Sequence, residues 1–161
     1  MIVVADTSPL HYLVLIEQSH LLPALYGRVL IPPAVLAELS DPGTPELVSR
    51  WAKHRPEWLE VRAPERVPLD LPEALGPGER EAIALSEELG ADALLIDEWD
   101  GRQEAMRRQL TVVGTLRVLG GAAEKGLVDL PRAVTRLRAT NFRVSTDLIE
   151  QLLDQARKRK L

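Results

Sequence analysis

The sequence lacks cysteine, has few aromatic residues and contains no long apolar run. The absence of cysteine from all 161 residues excludes disulfides, thiolate metal sites and cysteine nucleophiles. No apolar run approaches the roughly 18 residues that suggest a membrane-spanning helix, and Asp6 interrupts the only apolar stretch near the N-terminus. We therefore expect no membrane segment, no secretory signal and a cytoplasmic protein.

An excess of basic residues is also missing. The chain carries 20 basic and 24 acidic residues, whereas a general nucleic-acid-binding protein is usually basic. Four of the basic residues form a tail, Arg-Lys-Arg-Lys at 157–160. The rest of the chain is therefore more acidic than the total suggests. This acidic part of the chain is typical of a protein that binds a cation or a basic partner. It is equally typical of a solvated surface of mixed charge.

Length and composition predict one domain over residues 1–161. The hydrophobic fraction of 45% and the charged fraction of 27% are ordinary for a globular domain of this size. Residues 63–78 hold four prolines and two glycines. We interpret them as an extended connector inside the domain, because too little chain lies on either side to form two cores.

Short apolar runs alternate with helical patterns along the chain. Continuously apolar runs at 2–5, 29–31 and 93–96 predict strands buried on both faces, and weaker strands are predicted at 58–62 and 111–113. This alternation predicts an α/β fold in which helices cover both faces of a parallel sheet. The predicted helices span 9–16 (with Ser8 or Thr7 as N-cap), 19–26, 32–39, 45–54, 79–89, 100–109, 115–125, 130–139 and 146–159.

Four acidic residues fall near predicted strand ends or helix starts. Asp6 and Asp97 follow strands, Glu38 lies a turn or two into the helix after the second strand, and Glu79 begins a helix. Ligands of open parallel sheets bind outside the carboxyl ends of the strands, which makes these acids candidates for a common site. Each also has a simpler interpretation: a helix cap or strand end, a solvated side chain, or an acid favoured by the helix dipole.

Carboxylates gathered at one edge repel each other and need compensation. At about 4 Å and an effective dielectric near 20, each pair costs on the order of 4 kcal/mol. Arginines, protonation or a divalent cation could offset this cost. Mg²⁺ prefers oxygen ligands, and such an ion can activate water for phosphodiester hydrolysis. The histidines at 11, 20 and 54 show no ligand spacing, so we interpret them as structural.

Six stretches of the sequence resemble motifs of PIN-domain ribonucleases. Their order and spacing together are specific, although no single stretch is decisive, and they cover nearly the whole chain. The last two resemble a bacterial and archaeal PIN subfamily, some members of which are similar to VapC-type toxins. The stretches are 3–10, 30–39, 78–85, 95–98 with 101–102, 113–116 and 141–145.

The resemblance implies a three-layer α/β/α, PIN-like fold with a central parallel sheet of four to five strands. It also implies an acidic ribonuclease site that depends on Mg²⁺ or Mn²⁺. The catalytic residues implied are Asp6, Glu38, Glu79 and Asp97, with Asp6 and Asp97 as the metal ligands.

Two parts of the acidic motifs remain ambiguous in the sequence. Glu79 and Glu81 compete for the role of third acid, and we favour Glu79 because it stands at the start of the helix. Glu98 or Asp100 could share the site with Asp97, because the last cluster departs from the usual form.

The expected substrate-binding residues are Ser8, Arg102 and Thr115. Because the body is acidic, contacts to phosphate must come from a few local arginines, and Arg102 follows Asp97 by about one helical turn. Trp99 could stack on a base or pack against the protein.

We therefore expect a metal-dependent endoribonuclease that hydrolyses RNA phosphodiester bonds. The resemblance further implies the toxin of a toxin–antitoxin pair, with a small antitoxin protein and a homodimer as the expected partners. The alternative is a non-catalytic PIN-like module that binds RNA or protein.

Overall fold

A parallel sheet of five strands forms the centre of the computed structural model, which describes residues 1–160. The strands lie in the order β3-β2-β1-β4-β5, and every neighbouring pair is parallel. This confirms the predicted parallel sheet and includes the edge strand expected at 58–62. The strands are β1 (Val3–Ala5), β2 (Val29–Ile31), β3 (Leu59–Val61), β4 (Ala93–Leu95) and β5 (Val112–Val113).

Nine helices connect and follow the strands within the described residues. Each corresponds to a predicted helix, with bounds that differ by at most two residues. No helix in this part of the chain is long and apolar enough to span a lipid bilayer. The helices are α1 (Thr7–Leu15), α2 (Leu21–Tyr26), α3 (Pro33–Leu39), α4 (Glu46–Lys53), α5 (Pro77–Leu89), α6 (Trp99–Arg107), α7 (Thr115–Glu124), α8 (Leu130–Arg138) and α9 (Thr146–Lys160).

Two helices, α1 and α5, begin two residues earlier than predicted. The N-cap of α1 is Asp6, so the expectation of Ser8 or Thr7 at that position was wrong. The N-cap of α5 is Gly76, with Pro77 in the first turn. Proline suits the first helical position because no N–H is needed there, so the connector ends at Gly76 and not at residue 78.

Successive strand residues point to opposite faces of the sheet, so both faces are apolar. In β1, Val3 and Ala5 join the core on one face and Val4 joins the core on the other; β2 and β4 alternate in the same way. Side chains of α1–α4 and α7–α9 fill the first core, while α5 and α6 fill the second. The result is the expected α/β/α sandwich.

The proline-rich connector, residues 62–76, contributes to the second core. Leu71 and Leu75 are buried there. Arg80 fixes this segment, because its guanidinium donates to the carbonyls of Leu75 at 2.9 Å and Pro72 at 2.6 Å. The Arg80 guanidinium therefore holds the connector in place.

The basic residues expected as a tail at 157–160 form the last turn of α9. Arg159 pairs with Glu124 of α7 at 2.9 Å, and Arg157 pairs with Asp154. The four side chains of these two pairs are exposed, and exposed pairs typically contribute about 0–1 kcal/mol.

Two adjacent glycines of α7 offer a test of how closely α9 packs on it. A Cβ atom at Gly120 would lie 2.9 Å from Leu152 Cδ1, whereas one at Gly121 would meet nothing within 4 Å. We expect Gly121→Ala to stabilise the fold by about 0.5–1 kcal/mol, because alanine favours helix and restricts the unfolded chain. Gly120→Ala should stabilise less or destabilise, because Leu152 must move. Thermal melts of both variants measure this, and equal gains would contradict the close contact.

Candidate active site

The carboxyl ends of β1 and β4 meet where the order of the strands reverses. β1 is followed by β2 on one side and has β4 as its other neighbour, and such switch points form ligand-binding crevices in open α/β sheets. Asp6 directly follows β1, and its N–H donates to the Leu95 carbonyl at 2.8 Å. Asp97 lies just beyond the end of β4. The structure therefore places both aspartates at adjoining strand ends.

Asp6 is a buried carboxylate with an unpartnered oxygen. Its exposed fraction is 3%, and its Oδ1 has no hydrogen-bond partner among the described residues. Although Asp6 is the N-cap of α1, its side chain makes no capping bond, so capping does not explain its presence. Burial raises the pKa of Asp6 to about 7; the Thr7 N–H opposes this rise, and the charges of Glu79, Glu38 and Asp97 add to it.

Asp97 is held in place by the first residue of α7. The Thr115 N–H donates to Asp97 Oδ1, and the Thr115 hydroxyl donates to Oδ2, both at 2.7 Å. Burial raises the pKa of Asp97, while these bonds, the Arg102 charge and the Ser8 hydroxyl oppose the rise. Thr115, expected to bind substrate, is fully buried, and its contacts make it a positioning residue for Asp97.

Glu38 is clamped between α1 and α5. The Thr7 hydroxyl donates to Glu38 Oε2, and the Gly78 N–H donates to Oε1 at 3.1 Å. Glu38 is half-buried in the last turn of α3. It does not point into open solvent on the opposite side of the sheet.

The structure separates Glu79 from Glu81. Glu79 Oε1 accepts the Gly76 N–H at 3.3 Å, and burial raises the pKa of Glu79. Glu81 instead accepts the Ala34 N–H at 3.0 Å, in the first turn of α3. Glu79 therefore belongs to an acidic cluster of Asp6, Glu38, Glu79 and Asp97, in which the other three charges raise the pKa of Asp6. Glu81 anchors a neighbouring helix.

Glu98 and Asp100 lie at the exposed rim of the cluster. Glu98 is the N-cap of α6, and Asp100 lies in its first turn. Apart from burial, which is the main cause, the charges of Glu98, Glu38 and Asp100 all raise the pKa of Glu79. These two acids thus add to the negative field around Glu79.

Ser8 and Arg102 line the start of a groove beside Asp97. Arg102 Nη1 donates to the Ile96 carbonyl at 3.0 Å, which holds the guanidinium next to the strand end. Both side chains are partly exposed, so both can reach a ligand in the groove.

The family model DUF3368, described as a PIN domain, matches residues 2–158. The chain belongs to the PIN-domain family. No curated protein matches the sequence significantly. Among solved structures, the chain is similar to a PilT N-terminus domain protein from the hyperthermophilic archaeon Sulfolobus solfataricus P2, with a TM-score of 0.56 and 20% identity over 76% of this chain and 93% of that one. This likeness supports the fold.

PIN domains are generally nucleases that use divalent metals, so the fit of a cation to these residues matters. Among residues 1–160, no three carboxylate or imidazole side chains form a ready-made metal cluster. Mg²⁺, however, is usually bound through one or two carboxylates, with water and substrate phosphate completing its shell. The unpartnered oxygen of Asp6, beside Asp97, fits a site of that kind in this PIN domain.

Three glycines whose role the sequence alone does not reveal each abut one acid of the PIN-domain site. A Cβ atom would lie 2.6 Å from Glu38 Oε2 at Gly78, and equally close to Glu79 Oε2 at Gly101. At Gly114 it would lie 3.1 Å from Asp97 Oδ1. All three glycines stand inside the motifs that resemble the family, and that position was the only signal for them in the sequence.

Gly78→Ala tests this steric role. We expect it to lower nuclease activity on the order of 10- to 100-fold, because the added methyl group displaces the Glu38 carboxylate and small misplacements at a reacting centre are costly. The melting temperature should change little, since alanine favours the helix and the Glu38 side chain can move. The control is Gly121→Ala, whose Cβ meets nothing within 4 Å. Full activity of Gly78→Ala would show that the position of Glu38 does not matter.

Proposed function

We propose that this PIN domain is a metal-dependent endoribonuclease that hydrolyses RNA phosphodiester bonds. The observation that carries the proposal is the buried, unpartnered oxygen of Asp6 beside Asp97 at the switch point of the sheet. A buried polar group without a partner is costly, and a buried charge more so. A bound cation would offset that cost, and this would explain why the fold keeps a buried carboxylate at this position.

Asp6 and Asp97 are the residues that would hold Mg²⁺ or Mn²⁺. When bound, the cation supplies positive charge that stabilises the attacked phosphate and favours ionisation of water. Thr115 fixes the orientation of Asp97 through its two bonds, so this ligand needs little reorganisation when the metal arrives.

Glu79 is proposed as the proton acceptor. Burial raises its pKa, and a general base is most effective when its pKa lies near the working pH. Hydrolysis adds one water across a P–O ester bond: the phosphate gains the hydroxyl group of the water, and the other proton, taken up by Glu79, is balanced by the proton that the leaving oxygen gains. Glu38, clamped by Thr7 and Gly78, is proposed to keep the local charge negative enough to retain the cation. Arg102 and Ser8 are proposed to contact the phosphate from the groove side.

The test is cleavage of a 5′-labelled RNA in Mn²⁺ and in EDTA. We expect the parent chain to cleave with metal and not in EDTA, and Asp97→Asn to be inactive in both. The matched control is Asp92→Asn, because Asp92 stands at the opposite edge of the sheet, where it accepts the Ile2 N–H. Equal cleavage by both variants would point to a contaminating nuclease and contradict the proposal. A folded parent that binds RNA without cutting it would instead support the non-catalytic module.

We extend the proposal to the toxin of a toxin–antitoxin pair, acting as a homodimer with a small antitoxin partner. Its support is the resemblance of residues 113–116 and 141–145 to PIN proteins similar to VapC-type toxins. Induced expression should arrest growth, and Asp97→Asn should relieve the arrest. Light scattering on the purified chain measures the oligomeric state, and a monomer would contradict the homodimer.

A further inference from the structure

A groove of about 880 Å³ extends from Asp97 away from the acidic cluster. Its walls come from α1, the start of α6, the first turn of α7, the segment 139–145 and the side of α9. Of the expected catalytic and substrate-binding residues, only Ser8, Asp97 and Arg102 line it, together with Glu98 and Trp99, whose roles the sequence left open. Most of its wall therefore belongs to residues that the acidic site does not explain.

Three arginines line the groove against two acids, Asp97 and Glu98, although acidic residues outnumber basic ones in the chain as a whole. Arg102, Arg117 and Arg143 all line it. Arg117 and Arg143 are exposed, and neither pairs with a carboxylate in the part of the chain that the structure describes. With net charge −4, unpaired arginines gathered in one groove indicate a polyanionic occupant.

Aromatic side chains stand among these arginines. Trp99 is 71% exposed, an unusual state for so large an apolar ring, and it lines the groove next to Glu98. Tyr12 and Phe142 pack edge to face, with their centroids 4.9 Å apart. The Tyr12 hydroxyl donates to Asn141 Oδ1 at 2.8 Å, which leaves the amide N–H groups of Asn141 to donate to a ligand.

The combination of arginine and exposed aromatic rings favours a single strand over a duplex. Proteins that bind single-stranded nucleic acid place phosphates along basic grooves and stack bases on aromatic rings. The faces of paired bases are covered by their neighbours, so a duplex could not stack on Trp99 without melting.

Building on the proposed function, we propose that this groove binds a single-stranded segment of the RNA substrate next to the scissile phosphate. Arg117 and Arg143 contact its phosphates, and Trp99 stacks on one base. Asn141 donates to a carbonyl oxygen of a base and so contributes sequence preference. The segment 139–145 and α9 are thereby part of the substrate site.

The test is binding of a fluorescein-labelled, unstructured RNA of about 12 nucleotides to the full chain in EDTA, where no cleavage is expected. We expect Trp99→Ala to weaken binding about 5- to 100-fold. Arg143→Ala should lower the slope of log affinity against log salt by about 0.7. The matched controls are Leu127→Ala and Arg132→Ala, both exposed and outside the groove, and they should bind like the parent. A duplex of the same sequence should bind more weakly than the strand.

Equal losses in groove and control variants, a duplex that binds as tightly as the strand, or no RNA binding by the parent would each overturn the groove assignment. Cleavage measured in parallel separates this from the proposed function. If groove variants bind normally while Asp97→Asn stops cleavage, the groove assignment fails and the ribonuclease stands. If groove variants lose affinity while the parent never cleaves, the groove assignment stands and the ribonuclease fails.

Discussion

Asp6→Asn is expected to abolish RNA cleavage and, without metal, to stabilise the protein at pH 8. Asparagine keeps the shape of the side chain but removes a metal ligand and the charge. Because the carboxylate is 3% exposed and has an oxygen without a partner, its ionised form is costly in the folded state. Loss of activity and gain of stability should therefore occur in the same variant.

The stability of the metal-free protein should decrease as the pH rises. The pKa of Asp6 is raised from 3.8 to about 7, so the folded state holds this proton more tightly than the unfolded state. Below pH 3.8 both states are protonated and the group costs nothing. Between that value and pH 7 the metal-free fold loses stability, on the order of 4 kcal/mol at 1.36 kcal/mol per pKa unit. Asp6→Asn lacks this loss, so its advantage should grow from pH 5 to pH 8.

Denaturant melts of the parent, Asp6→Asn and the control Asp92→Asn in EDTA at pH 5 and pH 8 measure this effect. Metal should then stabilise the parent at pH 8 more than at pH 5, because the cation binds only the ionised, folded form. An Asp6→Asn protein that is less stable than the parent at pH 8 in EDTA would show that Asp6 serves the fold and not a cation.

Glu79→Gln and Glu81→Ala are expected to have opposite consequences, although the residues lie only two positions apart. Glu79→Gln should lower cleavage about 10²- to 10⁴-fold, the usual contribution of a positioned acid or base, with little change in stability. Glu81→Ala should keep the intrinsic cleavage rate. It should cost about 1–3 kcal/mol of stability, because the Ala34 N–H loses its acceptor.

Single-turnover cleavage and denaturant melts of both variants, at a temperature where both are folded, separate the two roles. Substantial activity in Glu79→Gln together with inactivity in Glu81→Ala would show that Glu81, and not Glu79, is the proton acceptor. Glu81→Gln is a useful companion, because its amide oxygen can still accept from Ala34 and should restore most of the stability.

The sequence was informative where the signal is local. The buried strands at 2–5, 29–31 and 93–96 were predictable because a strand packed on both faces must be apolar throughout. That logic also placed Asp6 and Asp97 at strand ends, and a parallel sheet brings such ends to one edge. The helix starts were less accurate, because a cap depends on backbone geometry that one or two residues can shift.

Roles that depend on contacts between distant segments could not be read from the sequence. The sequence favoured Glu79 over Glu81 by its place at the helix start, but the bond that gives Glu81 a different role joins it to Ala34 of another helix. The role of Thr115 likewise follows from its bonds to Asp97. The groove beside Asp97 has the same origin, since α9 closes it only after packing on α7. The residues next to a side chain in the sequence do not indicate which distant residues it will contact.

Binding of Mn²⁺, followed by electron paramagnetic resonance of the free ion, tests the central claim most directly. If Asp6 and Asp97 hold the cation, the parent should take up Mn²⁺ at pH 8 and much less at pH 5. Asp6→Asn and Asp97→Asn should each lose most of this uptake, while Asp92→Asn should keep it. Equal Mn²⁺ uptake by the parent and both active-site variants, or none by the parent, would contradict the account.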